Sequence, residues 1–220
     1  MKAMILAAGR GERMRPLTDR RPKPLLEVRG KPLIVYHIER LSAAGFDEIV
    51  VNIAHLGHLI PEALGDGSRW GVRLRYSDER HEGALESAGG IVKALALLGE
   101  APFLVVNGDV WTDYPFDADF DPGEALAHLV LVPNPEHNKE GDFGLERGRA
   151  LSDAAEKYTF SGIGYYSPRF FEGVPYGKRA LGALLRRRME EDTVTAEVYG
   201  GIWYDVGTPR RLAAVEKGNL

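Results

Sequence analysis

The chain opens with the apolar run Met1-Lys2-Ala3-Met4-Ile5-Leu6. It passes directly into Ala7-Ala8-Gly9-Arg10-Gly11-Glu12-Arg13-Met14-Arg15-Pro16-Leu17-Thr18, with Pro22-Lys23-Pro24-Leu25 soon after. A short apolar segment that breaks into a turn with two glycines is what a buried strand needs if its carboxyl end is to hold a phosphorylated group. Glycine lets the backbone come close to a polyanion and leaves N–H donors exposed, while Arg13, Arg15 and Lys23 bring positive charge. An ordinary strand-to-helix corner with solvated arginines accounts for GxG alone. It does not account for GxGxR followed by PKP.

The rest of the chain sets that loop in an α/β frame. Lys2–Ala7, Glu48–Ile53 and Pro102–Val106 read as buried strands, and Val72–Tyr76 alternates as a half-buried one. Between them, Pro32–Ala44 carries apolar residues at helical spacing and stops at Gly45. Gly57–Leu64 and Gly90–Leu98 are also expected to be helices. Beyond this the pattern changes. His128–Val132, Phe143–Leu145 and Thr159–Tyr166 read as strands, Lys178–Glu191 and Thr208–Lys217 as helices. The expected fold is a Rossmann-like α/β domain whose mixed, mostly parallel sheet has helices on both faces. No repeat and no long polar linker divides the 220 residues. One domain is therefore expected over 1–220, with a nucleotide-binding half at about 1–115 and a second wall of the cleft at about 116–220.

Composition removes several function classes. The formal charge of −4 gives no global basic field for nucleic acid, and the arginines are interspersed with acids. With no cysteine there is no disulfide, thiolate metal site or thiol nucleophile, which fits a reducing compartment. The N-terminal apolar run is a core strand rather than a signal peptide, and no segment approaches the roughly 20 apolar residues of a membrane span. A cytoplasmic protein with neither nucleic-acid nor membrane partners is expected. His55 and His58 have HxxH spacing but no acidic pattern beside them, so surface or core histidines are the better reading. GxSxG and the Walker loop are absent, and the third glycine of GxGxxG would fall at Met14.

Two acidic motifs complete the candidate site. Asn107-Gly108-Asp109 follows the apolar strand Phe103-Leu104-Val105-Val106, at the strand edge where open α/β sheets bind ligands. Asp109 there can hold a divalent cation against phosphate oxygens, or it can cap the next segment. Tyr204-Asp205-Val206-Gly207-Thr208-Pro209 ends a strand and starts a helix. Asp205 is a candidate second metal ligand, and Thr208 is a candidate N-cap with Pro209 at the first helical position.

Taken together, LAAGRGERMRPLT, PKPL, the NGD strand end and YDVGTP resemble the sugar-1-phosphate nucleotidyltransferase family along nearly the whole chain. The resemblance implies a Mg²⁺-dependent transfer between a nucleoside triphosphate, UTP for the nearest branch, and a sugar 1-phosphate, with loss of pyrophosphate. It implies a nucleotide site of Leu6, Ala8, Gly9, Gly11, Glu12, Arg13, Lys23, Glu86, Gly89 and Asn107. Arg13, Lys23 and Asp109 would act in catalysis, and Asp109 and Asp205 would hold the metal. Gly141, Asp142, Glu156, Lys157 and Ser161 would receive the sugar phosphate. Two departures stand out: Ser87-Ala88 occupies the place of a Thr-Gly pair in the base-reading loop, and Tyr158 replaces a proline after Glu156-Lys157. A solvated charge pair is the alternative for Glu156-Lys157.

An already ionised acceptor phosphate needs no general base, so catalysis by positioning and electrostatics is expected. Rival readings are transfer of guanylyl, thymidylyl or cytidylyl groups, or a non-catalytic nucleotide-sugar sensor. A sensor is expected to have lost a charged motif member, and Arg13, Lys23, Asp109 and Asp205 are all present here. The oligomeric state is left open between monomer and dimer.

Overall fold

The computed structural model describes residues 1–218; residues 219–220, the end of the expected second half, lie outside them. Strand β1 (Lys2–Leu6) leads into the glycine loop, which folds as three 3-10 turns, Glu12–Met14, Leu17–Asp19 and Lys23–Leu25. Next come the ribbon β2 (Glu27–Val28) and β3 (Lys31–Pro32), then α1 (Leu33–Ala43), β4 (Glu48–Ile53), α2 (Leu59–Leu64) and β5 (Arg73–Asp78). Helix α3 (Glu86–Leu98) precedes β6 (Phe103–Asn107) and β7 (Val110–Thr112). The remainder is β8 (Ala127–Val132), β9 (Gly144–Glu146), β10 (Arg149–Leu151), β11 (Thr159–Tyr166), α4 (Leu181–Glu190), β12 (Val194–Val198), β13 (Trp203–Asp205) and α5 (Pro209–Lys217).

Nine strands form one sheet in the order β5-β4-β1-β6-β11-β8-β12-β10-β9. Only β11 and β10 run against the others, so the sheet is mixed and mostly parallel, as expected. The apolar runs exist because both faces are covered. On β1, Ala3 and Ile5 pack with Ile34 and Ile38 of α1 and Ile60 of α2, whereas Met4 packs with Ile91 of α3 and Leu185 of α4. A third cluster joins Met14, Leu26, Val28 and Leu33 to Val206, Leu212 and Val215. It roots the glycine loop on α5, the last helix of the chain. No helix among the described residues is long and apolar enough to cross a membrane.

Element ends depart from expectation where distant segments meet. Helix α3 begins four positions before Gly90, because the Ala88 and Gly89 amides donate to the Arg179 carbonyl (3.0 and 3.2 Å). A Cβ on Gly89 would collide with the Gly177 carbonyl, so glycine is what this close approach requires. The same contact holds Lys178–Ala180 out of helix α4, since the Arg179 amide is used by the Leu85 carbonyl (2.9 Å). Strand β12 carries the alternation of a half-buried strand, with Val194 and Ala196 buried between Thr195 and Glu197, and is an element the sequence reading did not include.

His37 on α1 is buried, and neither ring nitrogen has a hydrogen-bond partner. Burial pushes its pKa from the ordinary 6.5 to about 4, against the nearby charge of Asp109. The unfolded chain therefore takes up this proton before the native state does. The His37 contribution is intact above pH 6.5 and is lost as pH falls toward 4, by about 3 kcal/mol over the full interval. Urea unfolding at pH 7 and pH 4.5 should show a smaller loss of stability for His37→Leu than for the unaltered chain. An unchanged difference would remove His37 from the acid sensitivity.

Candidate active site

The parallel register places Leu6 of β1 beside Asn107 of β6, so both strands end at one edge. The Gly108 amide extends this ladder by donating to the Leu6 carbonyl (2.9 Å), and a Cβ on Gly108 would stand 2.9 Å from that oxygen. Glycine thus lets the chain turn tightly across the end of β1 and present Asp109 there. A cleft of about 500 Å³ opens at this edge. Among its lining residues are the sequence-selected Leu6, Ala8, Gly9, Gly11, Glu12, Arg13, Lys23, Glu86, Asn107 and Asp109.

The floor is built from free backbone donors. Among the described residues, no hydrogen bond uses the backbone N–H of residues 8–13. Successive unclaimed amides in a turn form a concavity that suits phosphate oxygens. Gly11 has φ +64, and a Cβ there would stand 2.9 Å from Thr18 Cγ2; the Thr18 hydroxyl donates to the Gly11 carbonyl (2.8 Å). His55 Nε2 lies 3.1 Å from the Thr18 carbonyl oxygen, which gives this histidine a place in bracing the loop. Arg13 is exposed and makes no ion pair among the described residues.

Charge gathers at the rim. Lys23 Nζ donates to Asp109 Oδ2 at 2.5 Å, from a side chain only 11% exposed. The Asp109 carbonyl accepts from the Val206 amide (2.8 Å), which seats β13 beside β7 and pairs Asp205 with Val110. Asp205 does not itself line the cleft, but its neighbour Gly207 does. A Cβ on Gly207 would lie 2.6 Å from Arg211 Nη2, 2.7 Å from Asp205 Oδ1 and 3.1 Å from Arg13 Nη2, so only glycine leaves room for these side chains around it. Asp205 Oδ2 accepts from Arg211 Nη1 (2.9 Å) and lies 3.4 Å from His137 Nε2, while Oδ1 is buried without a partner.

These donors bear on whether a metal ion fits. Among the described residues no three His, Asp or Glu side chains form a cage. The orphaned Asp205 Oδ1 and the second oxygen of Asp109 instead suit a hard divalent cation that takes the rest of its shell from phosphate and water.

The opposite wall is the start of α3. Ala84, Glu86 and Ser87 line the cleft, and Glu86 holds a left-handed φ of +62 while pairing with Lys178 at 3.6 Å. Gly89 is buried behind this wall rather than on it. Sequence reasoning missed Asn52, near the carboxyl end of β4, which also lines the cleft. Its side chain takes the Ala7 amide (2.7 Å) and donates to buried Glu79 (2.7 Å). Burial raises the Glu79 carboxyl above its ordinary value, opposed by the hydrogen bonds from Leu85 and Asn52. His137 and Arg211 were also missed, because only the fold brings them to Asp205.

The five residues selected for the acceptor are not in this cleft. Glu156 and Lys157 line a separate hollow of about 610 Å³ with Asn134, Lys139 and Glu140, and Lys157 pairs with Asp153 at 3.2 Å. Asp142 Oδ2 takes the Phe160 amide (2.8 Å) and Asn138 Nδ2 (3.2 Å). Gly141 has φ +68 and packs against the Lys157 carbonyl. Ser161 is buried, donating to the Val130 carbonyl (2.6 Å) and accepting from the Ile163 amide (3.1 Å).

With this geometry in place, comparison with known proteins is decisive for the family. The nucleotidyl transferase family pattern matches residues 2–219. An N-acetylmuramate alpha-1-phosphate uridylyltransferase of Neisseria meningitidis serogroup B is 54% identical, over 96% of this chain and 95% of its own length. The chain belongs to the nucleotidyl transferase family. A second nucleotidyl transferase, the N-acetylmuramate alpha-1-phosphate uridylyltransferase of Caulobacter vibrioides, is 36% identical over 97% of this chain and 95% of its own. The fold is shared with the inositol-1-phosphate CTP transferase from T. maritima, with a TM-score of 0.81 at 18% identity, covering 98% of this chain and 93% of that one.

For a nucleotidyl transferase, the half-buried Lys23–Asp109 pair is the feature most exposed to test. Lys23→Ala should lower turnover by about 10²–10³-fold, the scale for removing one preorganised donor, with Tm nearly unchanged. A pyrophosphate-release assay reporting near-normal turnover would contradict a role for this lysine.

Proposed function

We propose that this nucleotidyl transferase moves a uridylyl group from UTP to N-acetylmuramic acid α-1-phosphate, giving UDP-N-acetylmuramic acid and pyrophosphate. The observation that carries the reaction class is the cleft itself: unclaimed amides of residues 8–13, with Arg13, Lys23 and Asp109 on its walls. The choice of base and sugar is supported by the printed activity of relatives that match this chain end to end. Such a product belongs to peptidoglycan recycling in the cytoplasm.

In this reading about 1–115 forms the nucleotide half and about 116–220 the acceptor half of one unit. The amides of residues 8–13 hold the triphosphate, with Leu6, Ala8, Gly9, Gly11 and Glu12 forming the bed and Arg13 gripping its outer charge. Glu86 and Asn107 border the nucleoside, and Gly89 lets the start of α3 pack closely behind. Lys23 leaves Asp109 for the α-phosphate, where it meets the attacking oxygen of the sugar phosphate.

Two unit charges about 4 Å apart at an effective dielectric near 20 repel by roughly 4 kcal/mol, and Arg13 and Lys23 offset repulsion of this size. Asp109 and Asp205 are the residues that would hold Mg²⁺, which would supply charge neutralisation on the transferring group. The acceptor oxygen attacks the α-phosphorus and the bond to pyrophosphate breaks. No covalent enzyme intermediate forms. Glu156 and Lys157 line a hollow outside the cleft where the phosphates react and are not assigned to the acceptor phosphate; Gly141 and Asp142 shape their loop, and Ser161 supports the strand beneath.

The direct test is a pyrophosphate-release matrix of four nucleoside triphosphates against muramic, glucosamine, glucose and mannose 1-phosphates. UTP with N-acetylmuramic acid 1-phosphate should give the highest kcat/KM. A maximum at any other pair would replace this assignment. In the same assay Asp109→Asn should abolish magnesium-dependent turnover, and an unaltered magnesium titration would remove Asp109 as a ligand.

A further inference from the structure

A three-bond relay, with Asn52 on the cleft lining and Glu79 buried behind it, ties the two walls together. The Ala7 amide donates to Asn52 Oδ1 (2.7 Å), Asn52 Nδ2 donates to Glu79 Oε1 (2.7 Å), and the Leu85 amide donates to Glu79 Oε2 (2.8 Å). Ala7 stands at the entrance to the phosphate-facing amides, and Leu85 directly precedes Glu86 on the opposite wall. Asn52 is 3% exposed and Glu79 0%. Glu79 makes no ion pair among the described residues, since the neighbouring Lys93 is held by Glu82. The relay packs so closely that a Cβ on Gly90 would lie 2.7 Å from Glu79 Oε1 and 2.8 Å from Asn52 Nδ2.

Both ends of this relay are backbone N–H groups, so both ends donate inward. An amide side chain contributes one donor and one acceptor, whereas an ionised carboxylate contributes two acceptors. Asn plus carboxylate matches every junction; Asn plus Gln leaves two donors facing each other, whichever way the amides turn. Burying an unpaired carboxylate is costly, and a glutamine would be cheaper to desolvate. The charge is therefore explained by the donor count.

We infer that Glu79, acting through Asn52 and the Leu85 amide, is a positioning residue that sets the spacing between the phosphate-binding amides and the Ala84–Ser87 wall. Nucleotide affinity depends on that spacing. This inference rests on the cleft being the nucleotide site.

The donor count supplies its own rescue. In the Asn52→Asp, Glu79→Gln double variant, the carboxylate and the amide exchange places along the relay. The relocated carboxylate accepts from the Ala7 amide and from the introduced side-chain amide, whose oxygen accepts from Leu85, so every junction is matched again. Glu79→Gln alone should raise the KM for UTP about tenfold, leave the KM for the sugar phosphate within twofold, and speed hydrogen exchange at the Leu85 amide. The double variant should recover the exchange protection of the Leu85 amide; because Asn52 lines the cleft, Asn52→Asp also sets a negative charge beside the phosphates, so protection and not KM is its readout. Should the single variant fail to fold, recovery of folding by the double variant supports the relay. An unchanged UTP KM and Leu85 protection in Glu79→Gln, or a double variant with Leu85 protection no better than the single, overturns it. Exchange and calorimetric UTP titration require no acceptor, so an error in the acceptor assignment leaves this test standing. A calorimetric blank for UTP with the unaltered chain would instead refute the nucleotide reading itself.

Discussion

The parallel pairing of β1 with β6, in the register that sets Leu6 beside Asn107, is the constraint on which the site depends. It brings two loops distant in sequence to one sheet edge, and Gly108 tightens the join by donating back to the Leu6 carbonyl. From that edge the unclaimed amides and Asp109 face the same space. The Asp109 carbonyl then recruits Val206, and with it Asp205, from the end of the chain. The third apolar cluster closes the circuit by fixing Met14 of the glycine loop against α5. A slip of β6 by one residue would turn its side chains to the opposite faces and break all of these links together.

Electrostatics works on top of this frame. In the absence of a polyanion, Lys23 lies against Asp109 and Arg211 against Asp205, so the two carboxylates are each held by a cation. Arg13 and the amides of residues 8–13 keep unused donor capacity. Such a cleft is poised for an incoming multivalent anion, which can draw Lys23 across and free carboxylate oxygens for a cation. The half-buried setting of Lys23 makes that exchange count for more than it would at the open surface.

The central strands and most of the cleft were legible because their signals are local. Lys2–Leu6, Glu48–Ile53 and Phe103–Asn107 are apolar runs bounded by turns, covered on both faces. Asp109 sits two residues past β6 and Arg13 lies in the loop that leaves β1, while Lys23 was legible from its own PKP motif. What stayed hidden depends on contacts between distant segments. The ends of α3 and α4 are set by Arg179 against Leu85, Ala88 and Gly89. Asn52, Glu79, His137 and Arg211 carry no pattern of their own and acquire roles only through long-range partners. The acceptor residues were the least legible. Their motif departs at Tyr158, and the fold puts Glu156 and Lys157 in a hollow apart from the phosphate cleft.

The central claim is that triphosphate and cation share the cleft at the carboxyl edge of β1 and β6. Diffraction from crystals grown with a non-hydrolysable UTP analogue and Mn²⁺, with anomalous data, tests this most directly. The account predicts a manganese peak at Asp109 and Asp205, phosphates on the amides of residues 8–13, and Lys23 moved from Asp109 to the α-phosphate. An analogue bound elsewhere, with the Lys23–Asp109 pair intact, would contradict it.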